Sequence, residues 1–161
     1  MKLNFKDGEK FLQNLLVGME TEFLIYRPSF FILYMGREQE DECIYPNYVQ
    51  VYLPEYWLIG NEDEWFDRLD ELGTVSPETF IEAFELTRLV HRTSSITEVQ
   101  IVADSVSLLF DNGVEIKSYL PAGEYSEQVL MVSEASLSLG VGKKWFDFDG
   151  VEIWARDLPD L

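Results

Sequence analysis

The stretch VSLLFDNGVEIKSYL, residues 106–120, decides the class of fold. Apolar and polar residues alternate on both sides of Asp111-Asn112-Gly113, as they do in strands that bury one face. The Asn-Gly pair supplies the positive φ angles that a type I′ turn requires. The stretch therefore predicts an antiparallel hairpin with strands at 106–110 and 114–120.

Similar patterns predict further strands on both sides of this hairpin. β-branched and aromatic residues cluster in short runs that end at proline, glycine or other turn-forming residues. Asp149-Gly150 predicts a second tight turn. The predicted strands cover residues 22–26, 30–35, 48–53, 55–59, 96–103, 128–133, 145–148 and 151–155.

Three segments have the spacing of amphipathic helices. Asp7 is the predicted N-cap of a helix at 8–17, which would bury Phe11, Leu12, Leu15 and Leu16. An acidic helix is predicted at 61–72, before Gly73. Ser76 and Pro77 are preferred residues for the N-cap and the first helical position, so they predict the start of a helix at 76–92.

These elements predict an α+β protein: a mostly antiparallel sheet of about seven to nine strands packed against two or three helices. Connections of hairpin length argue against a doubly wound parallel sheet, which needs long crossovers. The chain has 161 residues, of which 47% are hydrophobic. That length and composition are enough for one core, so we expect a single domain spanning 1–161.

A weak internal repeat links two of the predicted hairpins. Five positions carry the same residue 76 positions apart without a gap: Thr21, Glu22, Ile25, Ser29 and Leu33 match Thr97, Glu98, Ile101, Ser105 and Leu109. Each copy follows a predicted helix. Two explanations are open, which are a duplication and the similarity that any two amphipathic hairpins share.

The charge of the chain constrains its partners. The formal net charge is −18, and the segment from Glu38 to Glu85 holds 14 acids and one base, Arg68. Such a surface repels nucleic acid and anionic membranes and attracts basic proteins or cations. We therefore expect a basic protein as partner, with no nucleic acid and no membrane.

The cysteine content and the apolar runs indicate the compartment. Cys43 is the only cysteine, so no disulfide can form within the chain. The first residues lack the apolar run of a signal peptide. The longest apolar run, 30–35, is much shorter than the roughly 20 residues of a membrane helix. These features predict a soluble, cytoplasmic protein.

No catalytic, cofactor-binding or metal-binding motif is complete. Residues 147–150 resemble part of a calcium loop, but Trp145 and Arg156 stand where its two anchoring ligands belong. Residues 140–144 resemble a phosphate loop without its first glycine and with Lys144 at the Ser/Thr position. We therefore expect no cofactor, no bound metal, no catalytic residues and no enzymatic activity.

The predicted partner-binding residues combine acids with two tyrosines. In the strand at 48–53, alternation places the two tyrosines on the face opposite its aliphatic residues. Tyrosine is a common anchor of protein interfaces. The alternatives are a solvated acidic face that maintains solubility, and tyrosines buried beneath helices. The predicted partner-binding residues are Glu38, Glu40, Asp41, Glu42, Tyr48, Tyr52, Glu62, Asp63, Asp67 and Glu71.

In its small size, strong acidity and lack of a catalytic set, the chain resembles the immunity proteins that neutralise bacterial toxins. The resemblance is one of composition. It implies a basic toxin domain, often a nuclease, whose active site the protein blocks. Two other functions are open: a small enzyme or small-ligand carrier that uses the sheet as a concave floor, and a structural or regulatory domain. A deep pocket lined by Tyr, Trp and convergent polar groups would favour the ligand carrier.

Overall fold

The computed structural model describes residues 1–27, 30–38, 43–54, 57–59, 94–120, 123, 128–135 and 142–158. Within this part the chain forms one helix and eleven strands. The elements are β1 (Lys2–Leu3), α1 (Phe5–Leu16), β2 (Glu20–Arg27), β3 (Phe30–Gly36), β4 (Tyr48–Pro54), β5 (Trp57–Ile59), β6 (Ile96–Val102), β7 (Ser105–Phe110), β8 (Glu115–Tyr119), β9 (Leu130–Glu134), β10 (Lys144–Phe148) and β11 (Ile153–Ala155).

The strands form two antiparallel sheets. The larger has the order β1-β11-β10-β9-β4-β3-β2, and the smaller has the order β5-β8-β7-β6. The α+β class and the antiparallel pairing are confirmed. The prediction of one sheet with about seven to nine strands is wrong, because the chain divides its strands between two sheets. The helices predicted at 61–72 and 76–92 lie outside the described residues.

The two sheets exchange strands. The meander β2-β3-β4 and the meander β6-β7-β8 are built alike. The strand that follows each meander in sequence joins the other one, since β5 pairs with β8 and β9 pairs with β4. The meanders meet at an antiparallel bridge between Glu20 and Ser95. This reciprocal exchange extends the correspondence between the two copies of the internal repeat beyond their hairpins, and duplication as its origin stays a prediction.

Helix α1 begins earlier than predicted. The side-chain oxygen of Asn4 accepts a hydrogen bond of 2.9 Å from the backbone N–H of Asp7, so Asn4 is the N-cap and Asp7 lies in the first turn. The predicted N-cap Asp7 is therefore wrong. Both residues are good caps, and Asn4 occupies the site because its backbone is extended there. Among the described residues, no helix is long and apolar enough to cross a membrane.

One contiguous core joins α1 to both sheets. The helix buries Phe11, Leu12, Leu15 and Leu16, the four residues predicted from spacing. The ring of Phe11 stacks on Phe146 of β10, with 6.3 Å between ring centroids. On the side of the smaller sheet, α1 packs against β6. Because the helix contacts both sheets, it fixes the position of the larger sheet relative to the smaller one.

The hairpin that opened the sequence analysis is present, but its turn is of another type. β7 and β8 pair antiparallel, and Gly113 has φ +81° as expected. Asn112 does not have a positive φ, so the prediction of a type I′ turn is wrong. The loop has three residues, 111–113, one more than the loop of a type I′ turn. The N–H of Gly113 donates to the carbonyl of Phe110, and the Asn112 side chain accepts from the N–H of Val114. A single glycine with positive φ is typical of such three-residue hairpin loops.

Candidate functional site

Strand β4 separates core residues from the second face of the larger sheet. Val49, Val51 and Leu53 are fully buried. Tyr48 and Tyr52 point to the opposite face, where Tyr48 is 54% exposed and Tyr52 is half-buried. The alternation predicted for this strand is therefore confirmed.

Neighbouring strands add further apolar side chains to this face. The register aligns Phe23 and Tyr34 in one row across the sheet, and Ile25, Ile32, Tyr52 and Met131 in the next. The rings of Phe23 and Tyr34 stack with 4.0 Å between centroids and 12° between planes. Phe23 is 48% exposed and Ile25 is 37% exposed. We call these six residues the aromatic face: Phe23, Ile25, Ile32, Tyr34, Tyr52 and Met131.

A cleft of about 480 Å³ lies next to the aromatic face, at the start of β2. The register there aligns Glu20, Gly36 and Tyr48 across three strands. We call this the acidic cleft, and the residues that line it are Val17, Gly18, Glu20, Glu22, Gly36, Arg37, Glu38 and Tyr48.

Gly36 lines the acidic cleft and leaves room there for two neighbouring side chains. A Cβ atom at this position would lie 2.5 Å from the Glu22 carboxylate oxygen Oε1 and 2.8 Å from a ring carbon of Tyr48. Both distances are shorter than van der Waals contact. The absence of a side chain at Gly36 therefore lets a carboxylate and an aromatic ring lie together over the strand.

The electrostatics of the cleft are negative. Three carboxylates, those of Glu20, Glu22 and Glu38, share the lining with one guanidinium, that of Arg37. The Arg37 side chain donates a hydrogen bond to the Leu15 carbonyl in the last turn of α1, so its charge is directed towards the negative end of the helix. In the described part of the chain, no three acidic, histidine or cysteine side chains are placed to hold a metal ion. The cleft is thus suited to bind a positively charged group, because acidic side chains and the ring of Tyr48 line it.

The structure brings three of the predicted binding residues to one face. Glu38 and Tyr48 line the acidic cleft, and Tyr52 belongs to the aromatic face. The remaining predicted residues lie outside the described residues, and their place on the same side stays a prediction. These residues are Glu40, Asp41, Glu42, Glu62, Asp63, Asp67 and Glu71.

Sequence reasoning missed Glu20, Glu22, Phe23 and Tyr34. Simple alternation places Glu20 and Phe23 on opposite faces of β2. The register shifts between Thr21 and Phe23, and this irregularity turns both residues to the same face. One signal was available: residues 30–35, FFILYM, have no polar alternation, which indicates a strand with apolar side chains on both faces.

Comparisons with protein-family models, with curated proteins and with solved structures find no match to this chain. The functional argument therefore depends on the aromatic face and the acidic cleft.

Proposed function

We propose that this protein is a binding module for a basic protein, and that it contacts this partner through the aromatic face and the acidic cleft. The observation that carries the proposal is their adjacency: exposed Phe23 and Tyr48 lie on the same side of one sheet as Glu20, Glu22 and Glu38. The partner supplies a basic surface with an apolar centre.

This arrangement has the anatomy of a protein interface. Aromatic residues are enriched at the centre of interfaces, while charged residues belong to the rim. Few interface residues carry most of the binding energy, and tyrosine is common among them. Acids at the rim accelerate the encounter with a basic partner, and this effect weakens with salt. The two parts of the site thus have separate roles. The aromatic face supplies most of the affinity, and the acidic cleft increases the association rate.

The proposal also includes acidic residues that lie outside the described part of the chain. The predicted helix at 61–72 includes Glu62, Asp63, Asp67 and Glu71. We propose that these acids, with Glu40, Asp41 and Glu42, enlarge the same negative surface. The compositional resemblance to immunity proteins suggests a basic toxin domain as the partner, and the single cysteine suggests the cytoplasm.

A small-ligand carrier or small enzyme is the second candidate. It is favoured by the existence of the acidic cleft. Tyr48 is the one aromatic residue among the described residues that line the cleft, and none of them is a tryptophan. A binding pocket is lined mostly by apolar and aromatic side chains with few polar groups. The lining of the cleft is instead mostly polar and charged, so the cleft suits contact with a protein surface better than a small ligand. A structural or regulatory role is compatible with this kind of contact.

The test is affinity capture with matched bait variants. Immobilised protein captures partners from a lysate of the source organism. One variant removes the aromatic contacts (Phe23→Ala with Tyr48→Ala), and a second removes charge (Glu22→Gln with Glu38→Gln). The control is Glu98→Gln with Glu115→Gln, which removes the same charge from the smaller sheet.

We expect basic proteins that wild type and the control retain and that both site variants lose. The association rate of such a partner should fall as salt rises, because the screening length is about 8 Å near physiological ionic strength. The charge variant should slow association, whereas the aromatic variant should speed dissociation. Retention that is the same for wild type, both site variants and the control, or a partner without a basic surface, would refute the proposal.

A further inference from the structure

Among the described strands, four lie at the edges of the two sheets, and three of these are protected against pairing with another chain. β1 has two residues, including Lys2, and β5 has three. Short strands and lysine are common means of protecting an edge. β6 is longer, but α1 and the residues after it cover its outer side. The N–H of Ile96 donates to the carbonyl of Met19, and the carbonyl of Ile96 accepts from the N–H of Gly18. From α1, the Glu9 carboxylate accepts from the N–H of Ile101, and the Gln13 side-chain amide donates to the carbonyl of Val99.

The fourth edge strand, β2, differs from the others. It has eight residues, ETEFLIYR, and forms one edge of the larger sheet. Its outer side is bonded at the start, where the N–H of Thr21 donates to the Ser94 carbonyl at 2.9 Å. From Glu22 to Arg27, no outer backbone group of β2 bonds to any of the described residues. Unpaired N–H and C=O groups of a long edge are a template for a further strand.

We propose that β2 is a docking edge, to which an extended segment of the basic partner adds as a further antiparallel or parallel strand. The proposal depends on the proposed function and specifies how the same site binds. Main-chain hydrogen bonds supply affinity in this mode, and alternate side chains supply specificity.

The side chains around β2 define the chemistry of the added segment. Phe23 and Ile25 are exposed next to this edge, so apolar side chains of the segment extend the aromatic face and bury both residues. At the start of β2, a lysine or arginine of the segment reaches the carboxylates of Glu20 and Glu22 and the ring of Tyr48. On the face that meets these residues, the segment therefore carries apolar side chains beside Phe23 and Ile25 and a lysine or arginine beside Glu20 and Glu22.

Charge favours a different protein over a second copy of this chain. Two copies paired through β2 would bring two chains of net charge −18 together. They would also place the acidic clefts of both copies near the shared edge. Repulsion of this kind opposes self-association, whereas a basic segment neutralises the cleft.

The experiment uses a synthetic ten-residue peptide with arginine or lysine at both ends, valine at every second position between them and threonine at the other positions, so that the basic and apolar side chains can share one face of the added strand. Its control has the same sequence with four consecutive central amides N-methylated, which keeps the charge and blocks backbone pairing on both sides. Amide exchange of the full-length protein is followed by NMR with and without each peptide. We expect the unmodified peptide to protect the β2 amides that face away from β3, and the methylated peptide to bind at least about tenfold more weakly, since it loses several hydrogen bonds.

Three outcomes would overturn strand addition. Equal binding of both peptides, with changes confined to the acidic cleft, would show recognition by charge alone. Slow exchange of outer β2 amides in the free protein at every concentration would show that its own chain covers the edge. Protection that grows with protein concentration would show that a second copy is the occupant. None of these results bears on the bait variants, so the failure of strand addition and the failure of the proposed function are distinguishable.

Discussion

The carboxylate of Glu9 on α1 accepts a hydrogen bond of 2.8 Å from the backbone N–H of Ile101 on β6. One helical turn later, the side-chain amide of Gln13 donates to the carbonyl of Val99 at 3.0 Å. Residues four apart lie on the same face of a helix, and alternate residues of a strand present backbone groups on the same side. The two spacings match, so a helix replaces the missing neighbour strand of β6.

Replacing Glu9 with Ala should destabilise the protein by about 1–2 kcal/mol, because the N–H of Ile101 then loses its acceptor. Urea unfolding measures this loss, and the amide of Ile101 should exchange faster. Glu9→Gln is the matched control, since its side-chain oxygen can still accept the bond. Equal losses for both variants would show that the hydrogen bond contributes little.

Gly8→Ala should also destabilise the protein, although alanine favours helices. A Cβ at position 8 would lie 2.6 Å from the terminal methyl of Ile153, which is 1% exposed. Overpacking costs about 1–3 kcal/mol, which exceeds the gain of about 0.5–1 kcal/mol from helix propensity. We expect a net loss in urea unfolding.

The double variant Gly8→Ala with Ile153→Val tests the cause of that loss. Valine lacks the terminal methyl group of isoleucine, so it removes the shortest contact. The double variant should be more stable than the sum of the single effects, by at least about 0.5 kcal/mol. Additive effects would mean that the cost of alanine arises elsewhere.

Asn4→Ala should cost about 1 kcal/mol, because it removes the N-cap of α1. The Asn4 side chain accepts from the N–H of Asp7 and donates to its carboxylate at 2.7 Å. Asn4→Ser keeps an acceptor for the N–H of Asp7 without adding a charge beside the Asp7 carboxylate, and it should retain most of the stability in thermal unfolding. If Asp7→Ala proved the more damaging variant, the cap would have been assigned to the wrong residue.

Gly113→Ala should cost about 1 kcal/mol, since its φ of +81° is unfavourable for a residue with a Cβ. No atom lies within 4 Å of a Cβ built there, so the cost is conformational and not steric. Gly113→Asn should cost less, because asparagine tolerates this conformation better. Similar urea midpoints for wild type and the alanine variant would contradict the prediction.

Local features of this protein could be predicted from its residue order. The spacing of Phe11 to Leu16 predicted the buried side of α1, and the alternation in β4 predicted that Tyr48 and Tyr52 face away from the core. Gly113 predicted the hairpin between β7 and β8. In each case the information lies within a few residues, because helix and strand periodicities are short. The charge of the chain likewise follows from composition alone.

Other features depend on contacts between distant segments. The division into two sheets arises because β5 and β9 pair with strands of the opposite meander, a choice that no local pattern encodes. The irregularity between Thr21 and Phe23 depends on pairing with β3, and it brings Glu20 and Phe23 to one face. The sequence by itself determined ten of the eleven described strands, how β4 is oriented and how acidic the chain is, whereas the two residues of β1 are too few to form a pattern. Only the tertiary structure decided which strands are neighbours, and therefore where the acidic cleft, the aromatic face and the edge strand β2 lie.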